Sequence, residues 1–218
     1  MEKNGCLPGL FTAMLGTAII AGPTADVSAN AGNKPYNIEN VSPDAHLAPS
    51  VGDSSSKTSS KAWHKIDGVC YNGSGKKVEG AITRGMDVSE WQGKINWKEA
   101  KKDLDFAFVR ISYGTRHLDD YYDYNMTEAE AADVPVGTYV YSLAKTNKEA
   151  LAEAQLAIRQ MQGHKVSYPV AFDLEDEATL GTLTRKEISQ IALTFCDEIR
   201  KAGYTPILYM NLNWYNNL

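Results

Sequence analysis

The chain has 218 residues, 43% hydrophobic and 22% charged, with a formal net charge of -5. That composition fits one large globular domain or two small ones, and it argues against a wholly disordered chain, a collagen or a multi-span membrane protein. The acidic excess lies from Arg84 onward without a basic stripe, which argues against nucleic-acid binding.

Leu7 to Ala21 is a mostly apolar run preceded by Lys3 and followed by the small-x-small pattern Ala29-Asn30-Ala31. It reads as a secretory signal over residues 1–31, with an uncleaved anchor as the alternative. Residues 32–62 are rich in Ser, Asn and Pro and are expected to form a flexible linker. Cys70 and Cys196 lie far apart in sequence and are read as two unpaired, structural cysteines.

Residues 63–82 carry a short β-hairpin lead-in. Val69–Tyr71 and Lys77–Glu79 flank the turn Asn72-Gly73-Ser74-Gly75. From residue 83 the pattern alternates. Strands are expected at Gly85–Ser89, Phe106–Ser112, Pro135–Ser142, Pro169–Glu175 and Pro206–Asn211. Helices are expected from the Asn96 cap to about Leu104, around Thr127–Ala132, and from the Thr146-x-x-Glu149 and Thr184-x-x-Glu187 capping boxes. The first capping box opens a helix with Leu151, Ala154, Ile158 and Met161 on its apolar face. The second has Ile188, Ile191, Phe195, Ile199 and Ala202. Three strands begin at a proline, where a missing N–H does least harm. Alternating strands and helices predict an α/β fold with a parallel sheet, either a (β/α) barrel or a doubly wound sheet.

Candidate chemistry centres on Asp173 and Glu175. At i and i+2 on a strand they share a face, with Cα atoms about 6.6 Å apart. Two neighbouring carboxylates in a half-buried site push one pKa up, which supplies the acid and the anion that glycoside hydrolysis needs. Asp176 and Glu177 continue the run, so a solvated acidic loop is the alternative. Asp87, at the end of the first strand beside Trp91, reads as a third site acid or as a turn residue. Tyr113, Tyr139, Tyr141, Tyr209 and Trp214 fall near strand ends, where aromatic rings stack on sugar faces or simply pack. No Gly-x-Ser-x-Gly elbow, phosphate loop, dinucleotide fingerprint or zinc spacing is present.

Asp87-Val88-Ser89-x-Trp91-Gln92-Gly93, Phe108-Val109-Arg110-Ile111-Ser112-Tyr113-Gly114, Asp119-x-x-Tyr122-x-x-Asn125, Gly137-x-Tyr139-x-Tyr141 and Asp173-Leu174-Glu175, in that order, resemble glycoside hydrolase family 25. These are the Chalaropsis-type lysozymes, which cut the β-1,4 bond between N-acetylmuramic acid and N-acetylglucosamine in peptidoglycan. The resemblance implies a modified TIM-like (β/α) barrel over residues 83–218. It makes Glu175 the general acid, Asp173 the residue that orients the substrate acetamido group, and Asp87 an acid shaping the site. Tyr139, Tyr141 and Tyr209 would line the sugar groove. It implies no metal and no organic cofactor. The partner would be peptidoglycan glycan strands outside the cell, with no nucleic acid, membrane contact only through an uncleaved signal, and a monomeric protein. The family pattern has three further strands, so a fragment of a longer product is expected, the first five strands of the barrel. A truncated protein that binds wall without cutting it is the alternative. A receiver- or flavodoxin-type sheet with strand order 2-1-3-4-5 is a third reading.

Overall fold

The computed structural model describes residues 64–72, 75–81, 83–211 and 214–215. The expected signal and linker lie outside them. A small hairpin comes first: β1 (His64–Ile66) pairs antiparallel with β2 (Val69–Tyr71). Asp67 and Gly68 make its two-residue turn at φ 49° and 79°, the primed geometry that matches strand twist. The chain then reverses again, because the Asn72 N–H donates to Lys76 O at 2.9 Å and Tyr71 bridges Lys77. The Asp67-Gly68 pair is the signal for the first of these reversals. Lys65 Nζ, 2.9 Å from Asp105, ties the hairpin to the main sheet.

The main sheet is built from β3 (Gly85–Val88), β4 (Phe106–Tyr113), β6 (Val136–Tyr141), β7 (Val166–Asp173) and β8 (Pro206–Tyr209). All neighbours are parallel, and the spatial order follows the chain order. A two-residue strand, β5 (His117–Leu118), adds antiparallel to the end of β4. Between the strands run α1 (Trp97–Ala100), α2 (Tyr122–Ala131), α3 (Asn147–Met161), α4 (Glu177–Leu180) and α5 (Arg185–Lys201). The sequential order excludes the 2-1-3-4-5 arrangement. It is the order of the first strands of a (β/α) barrel, and among the described residues the sheet is open, with β3 and β8 outermost.

Local chemistry explains most boundaries. Thr184 and Glu187 exchange reciprocal hydrogen bonds at the start of α5, which contributes about 1 kcal/mol. Thr146 caps α3 by accepting from the Glu149 N–H at 3.2 Å. Gly163, at φ 90°, lies just past the end of α3. Asn96 caps α1 as expected, but the helix ends at Ala100 rather than near Leu104. α2 starts five residues earlier than Thr127, because Tyr122, Asn125, Met126 and Ala129 form its buried face.

β7 begins at Val166, not at Pro169. Pro169 sits in its interior, where the register with β6 slips between Val136/Val166 and Thr138/Val170. Such an irregularity is where a strand tolerates a residue without an N–H. Gly137 lies opposite. A Cβ there would meet Pro169 O at 2.6 Å and the Phe108 ring at 2.7 Å, so only glycine admits this approach.

The helices cover one face of the sheet. Val109, Ile111, Val140, Val170, Phe172 and Leu174 pack there against Met126, Ala150, Ala154, Ile188, Ile191 and Phe195. The Phe172 and Phe195 rings stack at 4.0 Å, and each such burial stabilises by roughly 1.5–3 kcal/mol. The buried face of α3 is Ala150, Glu153, Ala154, Leu156, Ala157 and Met161, rotated from the Leu151–Ile158 stripe because small residues allow the helix closer. Ala202 is exposed as the cap of α5 rather than part of its face. Cys70 is free and buried. Cys196 is buried on α5 and disulfide-bonded, which corrects the unpaired reading for that residue, since the separation of Cys70 and Cys196 in sequence speaks only to a bond between those two. No helix among the described residues is long and apolar enough to cross a membrane.

Candidate active site

The other face of the sheet is built differently. Its lower part is apolar: Phe106, Phe108, Ala171 and Ile207 are buried together, with Tyr139, Tyr168 and Tyr209 against them. Phe106 and Tyr168 stack at 4.8 Å, and Phe108 meets Tyr168 edge-on. Towards the C-terminal ends of the strands, polar groups replace the apolar ones, as parallel α/β sheets arrange their sites.

Parallel register sets one row at that end. Tyr113, Tyr141, Asp173 and Tyr209 are paired in turn across β4, β6, β7 and β8. Deeper in the sheet, beyond a register shift between Arg110 and Ser112, Arg110 pairs with Tyr139, and Asp87 on β3 pairs with Phe108. The strand ends continue to bond after the ladder stops. Gly114 N–H donates to Tyr141 O at 2.8 Å, Ser142 N–H to Asp173 O at 2.9 Å, and Leu174 N–H to Tyr209 O at 2.8 Å.

Glu175 falls just past β7, not on it, since the strand ends at Asp173. Leu174 turns into the helix-side core, which leaves Asp173 and Glu175 on the opposite side. The acidic run divides by role. Asp176 caps α4 by accepting the Thr179 N–H at 2.8 Å, and Glu177 is exposed. Asp173 is buried, and its Oδ1 has no hydrogen-bond partner among the described residues. The site pair is thus not a solvated loop.

The electrostatics follow from that burial. Desolvation first, then repulsion from Asp87, pushes the Glu175 carboxyl up to about 7. Asp173 is raised well above the carboxylate range by burial, by Glu175 and by Asp87, with Arg110 opposing. Asp87 is raised by its own burial. Three acids that repel one another in one poorly hydrated place cannot all ionise easily, so the group retains a proton at neutral pH. The tyrosines feel the same acids. Tyr139, Tyr141 and Tyr209 are raised by burial first and by Asp87, Asp173 or Glu175 in addition.

The structure therefore brings Asp87, Asp173, Glu175, Tyr139, Tyr141 and Tyr209 together. Tyr113 joins them at the rim, 38% exposed and stacked on Tyr141 at 4.8 Å with 15° between the rings. Trp214 stands apart, because it packs against the helix-side core. Trp91 is an exposed ring on the turn Glu90–Gln92 after β3.

A second charged group was not anticipated. Arg110 is buried, its Nε 2.9 Å from Asp119 Oδ2 and its Nη2 2.9 Å from Glu90 Oε1. Asp119 also accepts the N–H groups of Glu90 and Tyr121 at 2.8 and 3.0 Å. His117 Nε2 lies 2.8 Å from Glu90 Oε2. This network fastens the loop after β3 to β4 and sets a guanidinium near the acids. Its signal in the sequence is an arginine inside an otherwise apolar strand, a burial that demands partners. Among the described residues no group of three His, Cys, Asp or Glu could hold a metal ion.

Known proteins resemble this chain in sequence and fold. The family model described as Glycosyl hydrolases family 25 matches residues 86–218. The uncharacterized protein YegX of Escherichia coli K12 is 26% identical over 139 residues, covering 61% of this chain and 49% of YegX. Lysozyme M1 of Streptomyces globisporus is 38% identical over 60 residues, 27% of this chain and 20% of that protein. A family 25 glycosyl hydrolase from Bacillus anthracis shares the structure with a TM-score of 0.53 and 25% identity, over 61% of this chain and 62% of that one. The modular autolysin LytC from Streptococcus pneumoniae shares the fold with a TM-score of 0.60 and 24% identity, over 71% of this chain and 39% of that one. The chain spans about half the length of the curated relatives it matches.

Proposed function

Because the chain belongs to glycosyl hydrolase family 25, we propose that it serves as a muramidase on peptidoglycan, outside the cell or in the wall. The observation that carries this reading is the pair Asp173 and Glu175, set below the Tyr113–Tyr141 stack with both carboxyls raised, Asp173 by burial, Glu175 and Asp87, and Glu175 by burial and Asp87.

Glu175 is the general acid. It holds its proton up to about pH 7 and gives it to the glycosidic oxygen as the β-1,4 bond breaks. For this step Asp173 must carry the negative charge of the pair, which its burial and its neighbours Glu175 and Asp87 oppose and the Arg110 guanidinium favours. Its carboxylate accepts the acetamido N–H of the muramic acid residue while the acetamido oxygen attacks the anomeric carbon. Water then opens the cyclic intermediate, giving its proton to the Glu175 carboxylate, and the configuration is retained. Asp87 keeps the Glu175 pKa high. Tyr139, Tyr141, Tyr209 and the stacked Tyr113 supply flat surfaces for the C–H faces of the sugars. The leader expected over residues 1–31 suits a substrate that lies outside the membrane.

Digestion of purified peptidoglycan by the protein tests the proposal. New reducing ends belonging to N-acetylmuramic acid, absent with Glu175→Gln, are expected. Wall binding without product, or glucosamine reducing ends, overturns it.

A further inference from the structure

α3 carries an acid where its neighbours are small and apolar. Glu153 is 2% exposed and sits among Ala150, Ala154 and Ala157 on the buried face of the helix. A carboxyl is an unfavourable group to bury at a helix–sheet contact unless its oxygens are satisfied. Both are. Oε2 accepts the Ser142 hydroxyl at 2.7 Å, and Oε1 accepts the Leu143 N–H at 3.0 Å. Ser142 Oγ in turn accepts the Ala144 N–H at 3.1 Å. The chain leaves the sheet at this point, so these amides have lost their ladder partners. Leucine is close to glutamate in size but offers no acceptor.

Ser142 also touches the candidate site through its backbone. Its N–H is the donor to Asp173 O, the middle of the three bonds that continue the sheet past the row of Tyr113, Tyr141, Asp173 and Tyr209. We propose that Glu153 is a positioning residue for this site, holding Ser142–Ala144 from behind the sheet and so fixing Tyr141 and Asp173 relative to one another. The inference rests on the muramidase reading for its consequence in catalysis. Burial raises the Glu153 carboxyl to about 7, with Ser142 and Leu143 pulling it down, which fits a group kept for its contacts.

The test uses the whole chain with Glu153→Leu, Glu153→Gln and Ser142→Ala, read by peptidoglycan cleavage and by amide hydrogen exchange. Glu153→Leu lowers kcat about 10- to 100-fold, the cost of a small misplacement, with KM nearly unchanged. Glu153→Gln recovers much of the rate, because its oxygen serves Leu143 while its amide donates to Ser142 Oγ. Exchange quickens at Ser142, Leu143 and Ala144 but not on β7. Wild-type kcat in folded Glu153→Leu overturns the inference. If Glu153→Leu does not fold, unchanged kcat and unchanged exchange in Ser142→Ala overturn it. No cleavage by the wild type sinks the muramidase reading instead. Exchange then decides for Glu153: faster at those three amides supports it, and equal rates overturn it.

Discussion

The two faces of the main sheet solve opposite problems with the same strands. On the helix side, Val109, Ile111, Val140, Val170 and Phe172 meet complementary apolar stripes, whose burial favours folding. On the other side, the same strands bury Arg110 and Asp173 and leave Asp87 and Glu175 half-buried, with all three carboxyls raised. Alternation of side chains along a strand is what lets one residue serve stability and the next serve chemistry. The difference teaches where strain sits: the helix side stabilises the fold, and the acid side draws on that stability.

Substitutions on each face should therefore separate rate from stability. Glu175→Gln is expected to lower cleavage by about 10²- to 10⁴-fold, with a thermal midpoint at neutral pH equal to or above wild type. Equal loss of activity and fold would break the comparison. Arg110→Met leaves Asp119 without its cation and Glu90 with His117 alone, and should cost about 3–5 kcal/mol in denaturant unfolding. Phe172→Ala, on the helix side, should cost a similar 3–5 kcal/mol and leave kcat of the folded fraction near wild type.

The pH dependence of stability has a definite sign. Glu175 and Glu153 have folded pKa values raised from 4.5 to about 7. Their contribution is complete below pH 4.5 and is lost as pH rises through about 7. Each shift corresponds to roughly 3 kcal/mol. The lowered carboxyls of Glu90 and Asp105 act in the opposite sense, contributing above their unfolded pKa and losing that contribution in acid. Melting should thus occur at higher temperature near pH 5 than near pH 8, and Glu153→Gln should shrink the difference. The smallest effect is at the rim. Tyr113→Ala removes one ring of an exposed stack and should weaken glycan affinity by about 0.5–1.5 kcal/mol, with stability nearly unchanged.

The helix side was the more legible face. Phe195, Ile188, Ile191 and Ile199 recur at helical spacing, and Thr184 with Glu187 marks the start of α5. Legibility failed where close packing replaced bulk. On α3 a reading by hydrophobicity found Ala154, Ile158 and Met161 but included Leu151 and passed over Ala150, Glu153, Leu156 and Ala157, which the close packing buries. Pro169 misplaced the start of β7, because a proline inside a strand looks the same in sequence as one at its edge until the register slip is seen. On the acid side, the spacing put Asp173 and Glu175 on one face, as the fold does, but set Glu175 on the strand, which ends at Asp173. Partnership was not: nothing in the spacing links Arg110 to Glu90 and Asp119, since a buried charge finds its counter-ion through the fold. Trp214 shares with Tyr209 a place near the end of the chain, but they pack on different faces.

The central claim is that burial among repelling carboxyls gives Glu175 a proton at neutral pH. Carboxyl-carbon NMR titration of the Glu175 side chain, in wild type and in Asp87→Asn, measures it directly. The account predicts a midpoint near 7 in the wild type and a lower one once the Asp87 charge is gone. A wild-type midpoint near the ordinary 4.5, unmoved by the substitution, would contradict it.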